Sequence, residues 1–221
     1  MSEQPHFFIV LEGLDGSGKS EISRRLHERM SGALGEHVLL TYEPHDPSAA
    51  GEYIRQILRK EIAVSSRTLA LAFALNRADH NERVIAPFLT AGDRRVVICD
   101  RYLLSSLVYQ STGGLSVEDV LALNAGARPP DVTLFLDARP ETCYARMDAR
   151  RGDRQLFEEQ LAETRDKYLT IIQMLQARGA SMHILDANGS VTDVLNAVIE
   201  AVNSSAPAWL RLEHVSEDTI L

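Results

Sequence analysis

Eight consecutive residues, Gly13-Leu14-Asp15-Gly16-Ser17-Gly18-Lys19-Ser20, match the spacing G-x-x-x-x-G-K-[ST] in full. Each residue type has a chemical reason for its place. Glycines let the backbone turn tightly so that successive N–H groups converge on phosphate oxygens. A lysine at the seventh position reaches the terminal phosphates, and the serine after it offers a hydroxyl to Mg²⁺. Such a loop carries meaning only between a strand and a helix. Phe7-Phe8-Ile9-Val10-Leu11 reads as the strand, and Glu21 to Met30 as the helix whose N-terminal partial charge adds to the anion site. Gly13 to Ser20 is thus expected to hold ATP, with Lys19 facing solvent. The loop names a ligand and not a reaction. The Asn-Lys-x-Asp element that would select guanine is absent from the sequence.

A second cluster, Asp100-Arg101-Tyr102, closes the apolar run Val96-Val97-Ile98-Cys99. The C-terminal end of a parallel strand is the rim at which open α/β sheets bind ligands. Asp100 is therefore placed to touch Mg²⁺ or its water shell, with Ser20, and Arg101 to clamp a phosphate. A third cluster gathers Arg146, Arg150, Arg151 and Arg154 around Gly152-Asp153. Spacing of four puts Arg146 and Arg150 on one helical face, and Gly152 favours a break. A solvated charge run is the plain alternative.

The elements that must position these residues follow an α/β rhythm, in which short apolar runs alternate with amphipathic stretches. Strands are expected at Phe7–Leu11, His37–Thr41, Arg95–Cys99, Val132–Asp137 and Met182–Leu185. Several are continuous apolar runs, as expected when both faces of a parallel sheet are covered. Helices are expected at Lys19–Met30, Ala49–Leu58, Ser66–Thr90, Leu103–Gln110, Val117–Ala125, Pro140–Arg150, Leu156–Ala177 and Val191–Asn203. Ser116 with Asp119, and Ser190 with Asp193, have the spacing of helix starts. The reading is a P-loop NTPase fold, a five-stranded parallel sheet with helices on both faces. Residues 1–205 are read as a single domain. The stretch 206–221, which holds the only tryptophan, Trp209, reads equally as a packed tail, a partner contact or a frayed end.

Bulk properties narrow the function. The 221 residues suffice for one well-buried α/β domain. A formal charge of −8 argues against a general binder of nucleic acid polymers. Cys99 and Cys143 both lie in apolar segments and read as buried free thiols. No leader opens the chain and no apolar run approaches the ~20 residues of a membrane span, so a cytoplasmic protein is expected.

Taken in order, these motifs resemble those of the thymidylate kinases. The resemblance runs from Phe8 to about Ile172. It rests on Glu12 to Ser20, Glu43-Pro44, Phe73 to Arg77, Asp100-Arg101-Tyr102 with Ser105, Ser106, Tyr109 and Gln110, Pro130-Asp131, Leu136-Asp137 and Asp153-Arg154. It implies phosphoryl transfer from ATP, with Mg²⁺, to dTMP by a homodimer. In the family, the aromatic at Phe73 stacks on thymine, the arginine at Arg77 and the glutamine at Gln110 meet the base, and Tyr109 crowds the sugar where a 2′-hydroxyl would lie. Asp15 holds the 3′-hydroxyl or the metal shell. Glu43, Ser105 and Arg101 belong to the acceptor side. The basic cluster matches the family's short basic lid, here at about 146–156, whose arginines, Arg150, Arg151 and Arg154, stabilise the moving phosphoryl group. Without the family, Phe73 and Arg77 read as a core anchor and a solvated charge on one helix face, and Tyr109 as interior packing. The apolar face of Leu69 to Leu75 suits the dimer that the resemblance implies.

Two positions depart from the family pattern. The usual Arg-Glu-Pro, whose arginine meets the acceptor phosphate, is here Tyr42-Glu43-Pro44, followed by His45-Asp46 where glycines are common. The stretch Ser111-Thr112-Gly113-Gly114 lacks an arginine often found there. Either another cation, Arg55 or Arg77, compensates, or acceptor affinity is reduced, or the acceptor differs.

Overall fold

The alternation of buried side chains along each strand explains why the apolar runs are continuous. In the computed structural model, which describes residues 5–148 and 158–216, Phe7, Ile9 and Leu11 join a core cluster with Val96, Ile98, Ile22, Leu26 and Met30. Phe8 and Val10 face the other way and join Val97, Cys99, Ile85, Leu89 and Tyr102. Successive strand side chains point to opposite faces, so a strand covered on both sides must be apolar at every position. All five residues Phe7 to Leu11 are at most 1% exposed. Burying each stabilises the strand by about 1.5–3 kcal/mol at most, which anchors the loop that follows.

The sheet has five parallel strands in the order β2-β3-β1-β4-β5: β1 His6–Gly13, β2 Val38–Tyr42, β3 Arg95–Asp100, β4 Val132–Asp137 and β5 Met182–Asp186. Between and after them run α1 Lys19–Leu34, α2 Ala49–Leu58, α3 Ser66–His80, α4 Ala86–Thr90, α5 Leu103–Tyr109, α6 Val117–Leu123, α7 Pro140–Asp148, α8 Glu158–Ala177 and α9 Val191–Ser205. Register sets the working rim of the sheet: Asp100 stands level with Leu11 on one side and Tyr42 on the other. The first residues after β1 and β3 therefore meet in one place.

Both expected capping boxes form, Ser116 with Asp119 and Ser190 with Asp193, each side chain satisfying the other's backbone N–H. The continuous helix expected over Ser66–Thr90 is instead interrupted by a π-helical turn, Asn81–Ile85. Pro87 lacks an N–H and its ring crowds the carbonyl four residues back, so the backbone widens just ahead of it. The end of the expected Pro140–Arg150 helix and the start of the expected Leu156–Ala177 helix lie outside the described residues.

The segment 206–216, after α9, is packed. Leu210 is buried, and Trp209, Leu212 and Val215 lie against the main core. Two asparagines of α9 hold its backbone. Asn203 accepts from the Leu212 N–H at 3.0 Å and donates to the Leu212 carbonyl at 2.8 Å, and Asn196 does the same for Val215 at 2.8 and 3.0 Å. Arg29 of α1 donates to the Glu213 carbonyl at 3.1 Å, which ties the tail to the phosphate-loop helix.

Candidate functional site

The loop after β1 needs glycine at two places for stated reasons. Gly16 has φ +83°, and a Cβ there would lie 2.5 Å from the Cys143 carbonyl oxygen. Gly18, with φ +97°, is the residue from which α1 starts. The turn is closed by the Ser17 N–H on the Leu14 carbonyl at 3.1 Å, while the Leu14 side chain is fully buried. Ser17 Oγ is buried without a partner at the mouth of this turn, a donor that a phosphate oxygen would satisfy.

Lys19 does not face solvent as the sequence led us to expect. It is 6% exposed, and Nζ donates to the Leu14 carbonyl at 2.7 Å. Burial, and then the nearby charge of Arg101, lower its pKa from 10.5 to about 8, against the pull of Asp100, Asp15 and Glu12. A lysine on the first turn of α1 cannot avoid this position, because the loop folds back over it.

Ser20 Oγ donates to Asp100 Oδ2 at 2.6 Å, and Asp100 Oδ1 is buried with no partner. A hydroxyl and a carboxylate with a lone-pair oxygen to spare are the donor set a hard divalent cation takes. The residues present thus fit Mg²⁺.

Arg101 sits at φ +66°, an unusual conformation for a non-glycine residue, with its N–H on the Leu11 carbonyl at 2.9 Å. Its guanidinium meets Asp15 Oδ1 at 2.5 Å, Ser105 Oγ at 2.9 Å and the Tyr168 hydroxyl at 3.2 Å, and it lies 5.6 Å from the Tyr109 ring centre. Although burial acts to raise it, Asp15 is held below the usual aspartate range by Arg101 and Lys19. Beneath them Glu12 is wholly buried. It accepts from the N–H groups of Tyr102 and Ser105 at 2.9 and 3.0 Å and from Ser105 Oγ at 2.5 Å. Burial pushes the Glu12 pKa upward, opposed by Arg101 and by these hydrogen bonds.

These groups open onto a cleft of about 980 Å³. Its lining includes the loop from Asp15 to Ser20, Tyr42, Glu43, Asp100, Arg101 and Arg146. Arg146, on α7, donates to the carbonyls of Ser17 and Gly189 at 3.1 and 3.3 Å. Arg150, Arg151 and Arg154 lie outside the described residues.

The remaining acceptor-side candidates are placed less uniformly. Arg77 is no solvated charge: it is 2% exposed and pairs with the buried Glu43 at 2.8 Å. It also donates to Asn124 at 2.5 Å, Ser106 at 2.9 Å and the Tyr102 carbonyl at 3.1 Å. Glu43 is shared with His80 at 3.2 Å, which reaches Thr41 at 2.8 Å. Phe73 is half-buried on α3, and neither it nor Gln110 is among the cleft-lining residues. Gln110 is buried with Oε1 unpartnered. Tyr109 is 39% exposed and therefore not simple interior packing.

Tyr42 is 44% exposed on the cleft wall, and its hydroxyl donates to Asp46 Oδ2 at 3.0 Å. The same carboxylate oxygen pairs with Arg55. Both arginines that might replace a cation at position 42 are therefore already matched by an acid, Arg55 by Asp46 and Arg77 by Glu43.

Glu12, His80, Asn124 and Tyr168 were missed as site residues by sequence reasoning. Glu12 did carry a signal, an acid at the end of an otherwise apolar strand. Tyr168 and Asn124 carried none, since each sits inside an ordinary amphipathic helix pattern.

Comparison with known proteins agrees with this geometry. The family model described as thymidylate kinase matches residues 11–198. A probable thymidylate kinase of Pyrococcus abyssi is 37% identical over 204 residues, covering 89% of this chain and 95% of that protein. The thymidylate kinase of Ruegeria pomeroyi is 38% identical over 201 residues, covering 88% and 93%. The crystal structure of thymidylate kinase from Ehrlichia chaffeensis superposes with a TM-score of 0.67 at 27% identity, over 90% of this chain and 98% of that one. With the phosphate loop, the Asp-Arg pair at the end of β3 and the sheet order all in place, the chain belongs to the thymidylate kinase family.

Proposed function

We propose that this chain transfers the γ-phosphate of ATP to dTMP, giving ADP and dTDP. The observation that carries the reading is the convergence, in one cleft, of the complete phosphate loop with Asp15–Arg101 and Ser20–Asp100. The backbone from Gly13 to Ser20 binds the donor's phosphates and Lys19 bridges toward the γ-phosphate. Ser20 and Asp100 would hold Mg²⁺, which would neutralise charge on the phosphate oxygens. Arg101 binds the acceptor phosphate and stays oriented by Asp15. Phosphoryl transfer asks for positioning and charge neutralisation more than for covalent chemistry by side chains, and a phosphate monoester is already ionised at neutral pH. No general base is needed, in keeping with Cys99 and Cys143 being buried free thiols, both held above the usual thiol range by burial.

On the acceptor side, Phe73, Arg77 and Gln110 serve the base, Tyr109 the sugar, and Glu43 and Ser105 fix the two arginines. Arg150, Arg151 and Arg154 act from the lid at about 146–156, within a single kinase domain of residues 1–205. Leu71 and Leu75, four apart on α3 and 47% and 62% exposed, support a homodimer through that face. No described helix is long and apolar enough to cross a membrane, in keeping with a cytoplasmic enzyme. The direct test is formation of dTDP from dTMP, ATP and Mg²⁺, followed by phosphorus NMR. A product spectrum without a new β-phosphate signal overturns the reading.

A further inference from the structure

The hydrogen bonds behind Arg101 form a chain through two hydroxyls to a buried carboxylate. Arg101 Nη1 donates to Ser105 Oγ at 2.9 Å and to the Tyr168 hydroxyl at 3.2 Å. Tyr168 and Ser105 are 3.0 Å apart. Ser105 Oγ has a single proton, and the carboxylate of Glu12 at 2.5 Å takes it. The proton between the two hydroxyls must therefore be that of Tyr168, which donates to Ser105 and accepts from Arg101. Burial holds the Tyr168 pKa well above the usual range, so the phenol keeps that proton.

Tyr168 belongs to α8, whereas every other group in the chain follows β1 or β3. It is fully buried, with its ring against Phe135 of β4 at 4.9 Å between centres and edge-on to Tyr109 at 6.1 Å. Two neighbours pin the same stretch of α8. Arg165 makes paired bonds to Asp137 at 2.6 and 2.7 Å, and Lys167 donates to the Ser111 carbonyl at 2.8 Å. This part of the helix has three fixed points around the acceptor side of the cleft, and only the Tyr168 hydroxyl reaches the arginine.

We infer that Tyr168 is a positioning residue, whose hydroxyl holds the Arg101 guanidinium in its working orientation and ties that orientation to the register of α8. The inference rests on the proposed phosphoryl transfer for its kinetic consequence but not for its structural one. Beside the Tyr109 ring, 5.6 Å away, the Arg101 side chain is held by Asp15 in front and by Tyr168 and Ser105 behind. An acceptor phosphate shares the front of the guanidinium with Asp15, and the contacts behind it stay in place.

The test is Tyr168→Phe, which keeps the ring packing and deletes the hydroxyl. It should lower kcat/KM for dTMP by about tenfold, the effect of one hydrogen bond to a charged group, while KM for ATP stays within about twofold. In an Arg101→Lys background the same substitution should change little, because the group it positions is gone. An equal loss in both backgrounds, or a shared rise in both KM values with a lowered Tm, assigns Tyr168 to the core only and overturns the inference. A second readout is independent of the acceptor. Rotation of the Arg101 guanidinium, followed by nitrogen-15 NMR, should become faster in Tyr168→Phe, and unchanged rotation contradicts the inference. Failure of the parent protein to phosphorylate dTMP would instead count against the proposed function. If Tyr168→Phe does not fold, rotation of the Arg101 guanidinium in the parent protein decides, and rotation as fast as that of an exposed arginine overturns the inference.

Discussion

Arg77 and Glu43 face each other at 2.8 Å with side chains 2% and 3% exposed, so the arginine offered to a base edge is also half of a buried ion pair. Removing one partner of such a pair leaves an uncompensated buried charge, at a cost of about 3–5 kcal/mol. Glu43→Gln should therefore destabilise the fold by about that amount in urea denaturation, although Glu43 lies on the cleft wall. A loss below about 1 kcal/mol would show that solvent reaches the pair.

Lys19 gives a pH dependence with a definite sign. Its folded pKa, near 8, is below its ordinary 10.5. Between those values the unfolded chain holds a proton that the folded chain has released, so the stability of the free protein should rise with pH through that window. ATP phosphates favour the charged form, so binding near pH 8 should take up a proton. Calorimetry in buffers of different ionisation enthalpy, with Lys19→Met as reference, measures this. Equal uptake in both proteins contradicts the assignment. Lys19→Met should abolish transfer without lowering Tm, because it removes a buried cation and keeps the stem.

Tyr42→Arg alone should alter KM for dTMP little, since Asp46 already accepts from the Tyr42 hydroxyl and pairs with Arg55, and would capture the new cation. Tyr42→Arg with Asp46→Asn should lower KM for dTMP by roughly tenfold, as a charge-assisted hydrogen bond of about 1.5 kcal/mol would. Identical steady-state kinetics for the two variants would show that the acceptor phosphate lies elsewhere.

The sheet and the phosphate loop were legible in the sequence because their signals are local. A run apolar at every position from Phe7 to Leu11, followed by the fixed glycine spacing, leaves few alternatives. Two partners of Arg77 and Arg101 were not legible. Asn124, which closes α6, and Tyr168 of α8 arrive from 47 and 67 residues along the chain, and no local pattern marks their meeting. The π turn before Pro87 and the burial of Lys19 beneath its own loop have local causes, but neither leaves a mark in hydrophobic periodicity. The sequence left the tail open between a packed segment, a partner contact and a frayed end, because its backbone partners, Asn196 and Asn203, lie two helical turns apart on α9.

That pairing is itself testable. Asn203→Ala removes two hydrogen bonds to Leu212 and should cost about 1 kcal/mol, since the site is only partly buried. Trp209, the only tryptophan, reports on the tail through quenching by iodide. Unchanged quenching and unchanged Tm would mean that the apolar side chains hold the tail unaided.

The acceptor panel bears most directly on the central claim. ADP release should be measured with dTMP, dUMP, UMP, CMP and thymidine at saturating ATP and Mg²⁺. The account predicts dTMP first, with dUMP behind it by a modest factor, because one methyl group in a pocket is worth only about 1–3 kcal/mol. UMP and CMP should fall well below both if Tyr109 crowds the sugar's 2′ side as proposed, and thymidine should release no ADP if Arg101 holds the acceptor phosphate. Turnover of UMP, CMP or thymidine equal to or faster than that of dTMP would contradict it.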